Sequence, residues 1–206
     1  MAVFGGTGKT GQHVVRQALD AGYQVTALVR TRSKMTLEHP NLSLVEGDVL
    51  SSSAVEAVVR SADAVISVLG PSNNKPEFTI SRGMELILKV MKQQNVQRLI
   101  VSTGAGVREA QDKPKFVDRL FGVLLGVLSK NVVADMRATV ARIKASDRNW
   151  TIVRVPMLTD QPAQGRVKTG YVGDISPRLS RADMAAFILE QVKDNRFSKQ
   201  APAISN

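Results

Sequence analysis

Phe4-Gly5-Gly6-Thr7-Gly8-Lys9-Thr10-Gly11 is the stretch that decides the fold. From Gly6 it reads G-x-G-x-x-G. The apolar run Met1 to Phe4 precedes it, and a helical pattern with Val14, Val15, Ala18 and Leu19 on one face follows. Strand, glycine turn and helix in that order make the dinucleotide-binding fingerprint. Gly6 is expected to turn the chain out of the strand and Gly8 to let a pyrophosphate approach the backbone. Gly11 is expected to bring the helix against the sheet. The helix N-terminus then offers N–H groups and a positive dipole end to phosphates. Gly8-Lys9-Thr10 also resembles the end of a P-loop. That loop needs a glycine where this chain has Val3, inside the strand. A glycine-rich turn without a ligand is the remaining rival.

Working outward, Gln24 to Val29 alternates and is rich in Val, Thr and Leu, which predicts a second strand. Dinucleotide-binding folds place an Asp or Glu near its end, on the adenosine ribose 2′-OH. Here the place holds Arg30, followed by Thr31-Arg32-Ser33-Lys34. A carboxylate repels a 2′-phosphate and an arginine pairs with it bidentately, so NADPH is preferred over NADH. Arg30 is the main candidate, with Arg32, Ser33 and Lys34 as helpers. A solvated basic loop is the alternative.

The pattern then repeats. Leu42 to Val45 is a short strand ending in Glu46-Gly47-Asp48-Val49, and a helix follows over about 52–60. Ala64 to Leu69 is a buried strand closed by Gly70, before a helix over about 79–94. Arg98 to Ser102 is a strand ending in Thr103-Gly104. A helix over about 132–146 and a strand from Trp150 to Val155 come next. Short strand signals lie near 165–171, and Ser180 caps a last helix. This βαβ repetition predicts an α/β fold: a Rossmann-like, doubly wound parallel sheet in one domain, 1–206, with a small C-terminal substrate-side region. Asp48, Gly70, Ser102 and Thr103 fall at the carboxyl ends of strands, where such sheets bind ligands, although all four are also ordinary turn residues. The loops 107–118 and 159–180 are expected to build the acceptor pocket, within substrate-side stretches of about 107–131 and 156–180. The run Leu120 to Leu128 reads most simply as buried core; a lid, a pocket wall, a dimer face or a membrane-surface patch are the other readings.

Composition narrows the function classes. The 206 residues are 43% hydrophobic and 22% charged, ordinary for a globular domain. No run approaches the ~18 apolar residues of a membrane span. The chain opens directly into a strand, so no signal peptide is expected and the location is expected to be cytoplasmic. Cysteine is absent, which excludes disulfides, thiolate catalysis and zinc–sulfur sites. His13 and His39 are the only histidines, so no metal site is expected. Net charge is +10, yet the basic residues are scattered and aromatics make up only 4%. With no stacking platform, nucleic acid is not the expected partner.

The chain resembles the atypical short-chain dehydrogenase/reductases, in the NAD(P)H-binding group that includes biliverdin-IXβ/flavin reductase and NmrA-like proteins. The glycine motif, Leu28-Val29-Arg30, Glu46-Gly47-Asp48-Val49 and Val68-Leu69-Gly70 carry the resemblance. Trp150-Thr151-Ile152-Val153-Arg154, Asp160-Gln161-Pro162 and Ser180-Arg181-Ala182-Asp183-Met184-Ala185 extend it to nearly the whole chain. The resemblance implies that the Gly5 to Gly11 turn binds the cofactor, with Thr7, Gly8, Lys9 and Thr10 around the pyrophosphate. It implies Arg30 on the 2′-phosphate, Asp48 and Val49 at the adenine, and Leu69 and Gly70 along the cofactor path. Ser102 and Thr103 would stand beside the nicotinamide as the catalytic candidates, with Pro156, Met157 and Leu158 on its far side.

One departure matters. The Tyr-x-x-x-Lys dyad of short-chain dehydrogenases is missing, because neither Tyr23 nor Tyr171 has a lysine four residues on. A carbonyl reductase needs an acid beside its acceptor. A serine and a histidine line the biliverdin/flavin reductase site, and the matching positions here are Gly104 and Met157. Hydride transfer to a planar acceptor such as a flavin or linear tetrapyrrole tolerates this, because solvent can supply the proton. Met157 and the 120–128 run would wall that acceptor, and Asp135 would orient water or cofactor, or cap a helix. The expected function is an NADPH-dependent reductase of a small planar acceptor, with flavin as a substrate. The alternative is an NADP(H)-binding sensor or assembly factor of the NmrA-like type. An epimerase or dehydratase on nucleotide sugars fits less well without the dyad.

Overall fold

The computed structural model describes residues 1–71, 73–116, 119 and 126–206. Most of the run Leu120 to Leu128 therefore lies outside the described residues. At its end Val127 and Leu128 are 71% and 65% exposed, so that end is not core.

The chain alternates strand and helix as its sequence predicts. Strand β1 is Ala2–Phe4, helix α1 Lys9–Asp20, β2 Val25–Val29 and β3 Leu42–Glu46. Then come α2 Ser52–Val59, β4 Ala64–Ser67, α3 Thr79–Gln93 and β5 Arg98–Gly104. The helix Lys130–Lys144, here α4, leads to β6 Asn149–Val155. Short strands follow: β7 Met157–Thr159, β8 Lys168–Gly170 and β9 Arg178–Ser180. Helix α5, Arg181–Lys193, and strand β10, Ala203–Ser205, close the fold. Strands β7, β9 and β10 are too short to leave a periodic signal, and the sequence did not predict them.

The main sheet runs β3-β2-β1-β4-β5-β6-β10-β8, parallel except where β8 meets β10. The crossovers from β1 to β2, β3 to β4, β4 to β5 and β5 to β6 each carry an α-helix, that from β2 to β3 only a 3-10 turn over Arg32–Lys34, and the order reverses between β1 and β4. Their carboxyl ends open the crevice in which such sheets bind ligands. Alternation along the strands assigns the two faces. Ala2, Phe4, Val65 and Leu99 join the apolar layer that includes Met84 and Ile87 of α3 and Ile143 of α4. Val3, Ile66, Ile100 and Val153 join the layer that includes Val15 of α1 and Ile188 of α5. Both layers are buried, so each strand end is held from above and below.

Two helices are capped across the fold. Asp135 of α4 accepts hydrogen bonds from the N–H groups of Ile80 and Ser81, at 3.1 and 2.8 Å, and so caps α3. Asn74, in the loop before α3, returns the arrangement. Its Oδ1 accepts from the N–H groups of Asn131 and Val132 in the first turn of α4, and its Nδ2 donates to the Leu128 carbonyl. Asp135 is therefore a capping carboxylate. Helix α5 carries the cap its sequence predicts: Ser180 Oγ accepts from the Asp183 N–H.

Candidate functional site

The site begins where β1 ends. Gly5 has φ +86°, and a Cβ there would lie 2.8 Å from the Val68 carbonyl carbon and oxygen. Its own carbonyl accepts from the Gly8 N–H at 3.1 Å. Gly5 thus makes the turn that the sequence pattern assigned to Gly6. Gly6 is buried instead, with its Cβ position against Val15, Met35 and Ala27. Gly11 has its expected role: a Cβ there would meet the Gly5 oxygen at 2.0 Å. No side chain caps α1 among the described residues, so its N-terminus keeps its positive end for an anion.

A cleft of about 330 Å³ opens at the reversal of strand order. Gly5, Thr7 and Gly8 line it from the turn, Leu28 from β2, Arg30 from just past its end, and Asp48 and Val49 from the turn after β3. Leu69 and Gly70 form the wall after β4. Asp48 is fixed by a turn of its own, its Oδ1 accepting from the Leu50 N–H at 2.9 Å. Val49 is pressed onto Gly83 of α3, where a Cβ would lie 2.7 Å from Val49 Cγ2. The basic helpers separate. Lys34 lines the cleft beside Arg30. Arg32 turns away: its Nη2 donates to the Leu44 carbonyl at 2.8 Å, and its Nε lies 3.8 Å from Glu46. Ser33 is exposed between them and is not part of the wall. Nor is Lys9, whose ammonium donates to Asp160 at 3.0 Å.

A second chamber of about 260 Å³ adjoins the first, sharing Val68, Leu69, Gly70 and Ile80 with it. Ser102, Thr103 and Gly104 of β5 form one side, and Pro156 and Leu158 another. Thr10 of α1, Met136 and Thr139 of α4, and Met184 of α5 complete it. Its hydroxyls belong to Thr10, Ser102, Thr103 and Thr139, and that of Thr139 donates to the Asp135 carbonyl. Among the described residues, no ionisable side chain lines this chamber. Met157 is not part of it either. The short strand β7 turns Met157 outward, 55% exposed, while its neighbours face in; Met136 supplies the thioether. Nor do the described residues of 107–118 or 159–180 line it.

Those two loops act from behind. Arg154, 1% exposed on β6, makes a bidentate ion pair with Asp112 at 2.7 and 3.0 Å. It also donates to the Ala201 and Val107 carbonyls. Asp112 accepts the N–H groups of Glu109 and Val172, which joins residues 107–113 to residues 171–173. Gly173, φ +108°, packs so close to Lys113 that a Cβ would meet its carbonyl oxygen at 2.1 Å. Burial alone pushes the Asp112 carboxyl up. The Arg154 hydrogen bonds and the two backbone N–H groups outweigh it and hold the group below the usual carboxylate range. Asp183, also buried, accepts from the N–H groups of Gln164 and Gly165 and from Asn206 Nδ2. The Arg154–Asp112 pair was not found by sequence reasoning. The available signal was an arginine inside an apolar strand, since a buried charge must be paired.

Residues 5–195 match the family described as NAD(P)H-binding, and the chain belongs to it. The resemblance drawn from the sequence motifs therefore holds at the level of the family. Among curated relatives, the Bacillus subtilis protein YwnB is 30% identical over 124 residues, which is 56% of each chain. The match thus spans little more than half of that relative's length. Among solved structures, a short-chain dehydrogenase/reductase from Veillonella parvula in complex with NADP superposes with a TM-score of 0.84 at 17% identity, over 99% of this chain and 93% of the other. ChuY, an anaerobilin reductase from Escherichia coli O157:H7, gives 0.77 at 20% identity, over 98% and 95%. At these identities the likeness is one of fold. The cleft fits a dinucleotide on its own evidence. A Cβ on Gly70 would meet nothing within 4 Å, so the backbone there faces open cleft, and two cationic side chains stand at the β2 end.

Proposed function

We propose that the protein is an NADPH-dependent reductase that delivers hydride to a planar acceptor, such as a flavin or a linear tetrapyrrole. The observation that carries the reading is the pair of adjoining clefts: one is lined by the glycine turn and cations, the other by apolar and hydroxyl groups with no ionisable side chain among the described residues. Membership of an NAD(P)H-binding family and the fold shared with an anaerobilin reductase support it. In this reading Thr7, Gly8 and the start of α1 hold the pyrophosphate, and Arg30 with Lys34 holds the 2′-phosphate. Asp48 and Val49 flank the adenine, and Leu69 and Gly70 guide the chain of the cofactor toward the second chamber. When bound, a reduced nicotinamide supplies the hydride. Ser102 and Thr103 orient the reacting rings through their hydroxyls, and the apolar wall of Met136, Leu158 and Met184 packs against them. With no acid among the described residues of the chamber, the acceptor takes two electrons with the hydride and draws its balancing proton from solvent.

The test is loss of dihydronicotinamide absorbance with a flavin, a linear tetrapyrrole or a quinone as acceptor. Turnover of one acceptor is expected. Arg30→Ala removes a charged hydrogen-bond partner, of the order of 1.5–3 kcal/mol, and so weakens NADPH binding by about 10- to 150-fold while sparing NADH. Equal losses for both nucleotides would remove Arg30 from the phosphate clamp. The lack of an acid among the described residues of the chamber also favours a second reading, a nucleotide sensor or assembly factor. That reading predicts tight NADPH binding with no oxidation by any acceptor.

A further inference from the structure

Lys9 opens α1 directly after the phosphate turn, yet its ammonium is held outside the cleft. It donates to Asp160 Oδ2 at 3.0 Å, while Arg181 Nη1 donates to the other oxygen of the same carboxylate at 2.6 Å. The two cations hold the Asp160 carboxyl below its usual range. Three elements meet at this carboxylate: the start of α1, the end of β7 and the start of α5. The same three supply Thr10, Leu158 and Met184 to the second chamber. The loop that Asp160 begins is pinned at its far end, where Gln164 and Gly165 donate to buried Asp183. Its near end leaves β7, whose Thr159 pairs with Ser180, at the Asp160 bridge, where the Lys9 and Asp160 side chains are 73% and 61% exposed.

We propose that Asp160 competes with the cofactor's pyrophosphate for Lys9, so that nucleotide affinity and the position of the 160–163 segment are coupled through one ammonium group. The inference rests on the reading of the cleft as an NADPH site. Lysine is a mobile point charge on a four-carbon stem, so it can exchange one anion for another without moving its helix. Asp160 keeps Arg181 when Lys9 leaves, so the exchange strands no charge. An exposed ion pair is weak, which makes it a fit competitor for a phosphate. The phosphate turn would thereby signal its occupancy to the wall of the acceptor chamber.

The experiment is a fluorescence titration of the full-length chain with NADPH and with NADH, in wild type, Asp160→Asn, Lys9→Met and the double variant. Asp160→Asn is expected to tighten both nucleotides about two- to fivefold, the scale of an exposed pair. The pyrophosphate is common to both, so their ratio stays unchanged. In the Lys9→Met background the same substitution has no effect. Hydrogen exchange at 160–163 rises in wild type on adding NADPH, and is already raised in Asp160→Asn. An unchanged affinity in Asp160→Asn overturns the inference, and so does an equal tightening in the Lys9→Met background, which would mark a general charge effect or one acting through Arg181. Wild-type protein that binds neither nucleotide overturns the NADPH reading and this inference together. Wild-type binding with an unresponsive Asp160→Asn overturns this inference alone.

Discussion

The two adjoining clefts are built by different means. The first is made of backbone: glycines at 5, 8 and 70, strand ends and a helix N-terminus, held by a sheet buried on both faces. Behind the second stand segments that do not line it and that long-range side chains hold in place: Arg154 with Asp112, Asp183 with residues 164, 165 and 206, and Lys9 and Arg181 with Asp160. A backbone site depends on the sheet as a whole. A site held by a few polar pins can be loosened without dismantling the sheet, and can be retuned for another acceptor by changing those pins.

Arg154→Met is the most severe way to break that contrast. It leaves the Asp112 carboxylate buried without its cation, which costs about 3–5 kcal/mol and lowers Tm by roughly 6–20 °C for a chain of this size. Hydrogen-exchange protection should be lost first over 107–113 and 171–173. NADPH affinity should stay within about twofold of wild type, because the first cleft shares no partner with Arg154. A Tm change below about 2 °C, or a parallel collapse of NADPH binding, would show that the two regions are not separately held. The wild type carries an acid signature of the same pin. The folded Asp112 pKa lies below its unfolded value near 3.9, so its contribution is complete above that pH. It is lost as pH falls through the lowered folded value. Protection of these two loops should therefore fall off in acid, below about pH 4.

The same contrast decides how much could be read from the chain. The places of the glycine turn, Arg30, Asp48 and Gly70 on the cleft wall were legible because they follow from position: a backbone that must turn, or a strand end at the crevice. Even there the turn was placed one residue late, since Gly5 and Gly6 are adjacent and only the φ of Gly5 separates them. Arg32 and Lys34 were indistinguishable in sequence. A single 3-10 turn over Arg32–Lys34 sends one toward β3 and the other into the cleft. The second chamber was less legible. Met157 looked like a wall and faces solvent, because period two in the short strand β7 assigns Leu158 to the inside. Asp112 and Arg154 lie 42 residues apart, and no local pattern links them.

Asp135 is the exception within the first cleft, a side chain that shapes its wall. Asp135→Ala removes the acceptor for the Ile80 and Ser81 N–H groups, at a cost of about 0.5–2 kcal/mol, or roughly 1–8 °C in Tm. Thr79 and Ile80 line the cleft, so fraying α3 should also weaken NADPH binding, by up to about 30-fold if the whole of that cost is felt there. Unchanged binding alongside the lowered Tm would make the cleft independent even of its capped helix, and would sharpen the contrast further.

The smallest expected effect comes from one methyl group. At Gly5 a Cβ would strike the Val68 carbonyl in a left-handed backbone, so alanine is not accommodated there. Gly104 sits at the other end of the molecule's logic. It lies on β5 outside the left-handed region, and its Cβ would meet Met136 Sδ at 3.7 Å, an ordinary contact. Gly104→Ala restricts the unfolded chain without straining the folded one, which stabilises by about 0.4–1 kcal/mol and raises Tm by roughly 1–4 °C. The methyl projects into the second chamber, so the acceptor KM should rise while NADPH affinity does not move. A lowered Tm would mean that even an ordinary contact with Met136 is not tolerated there. The chamber would then be as tightly specified as the glycine turn, and the distinction between a backbone-built and a side-chain-built site would fail at the position where the two meet.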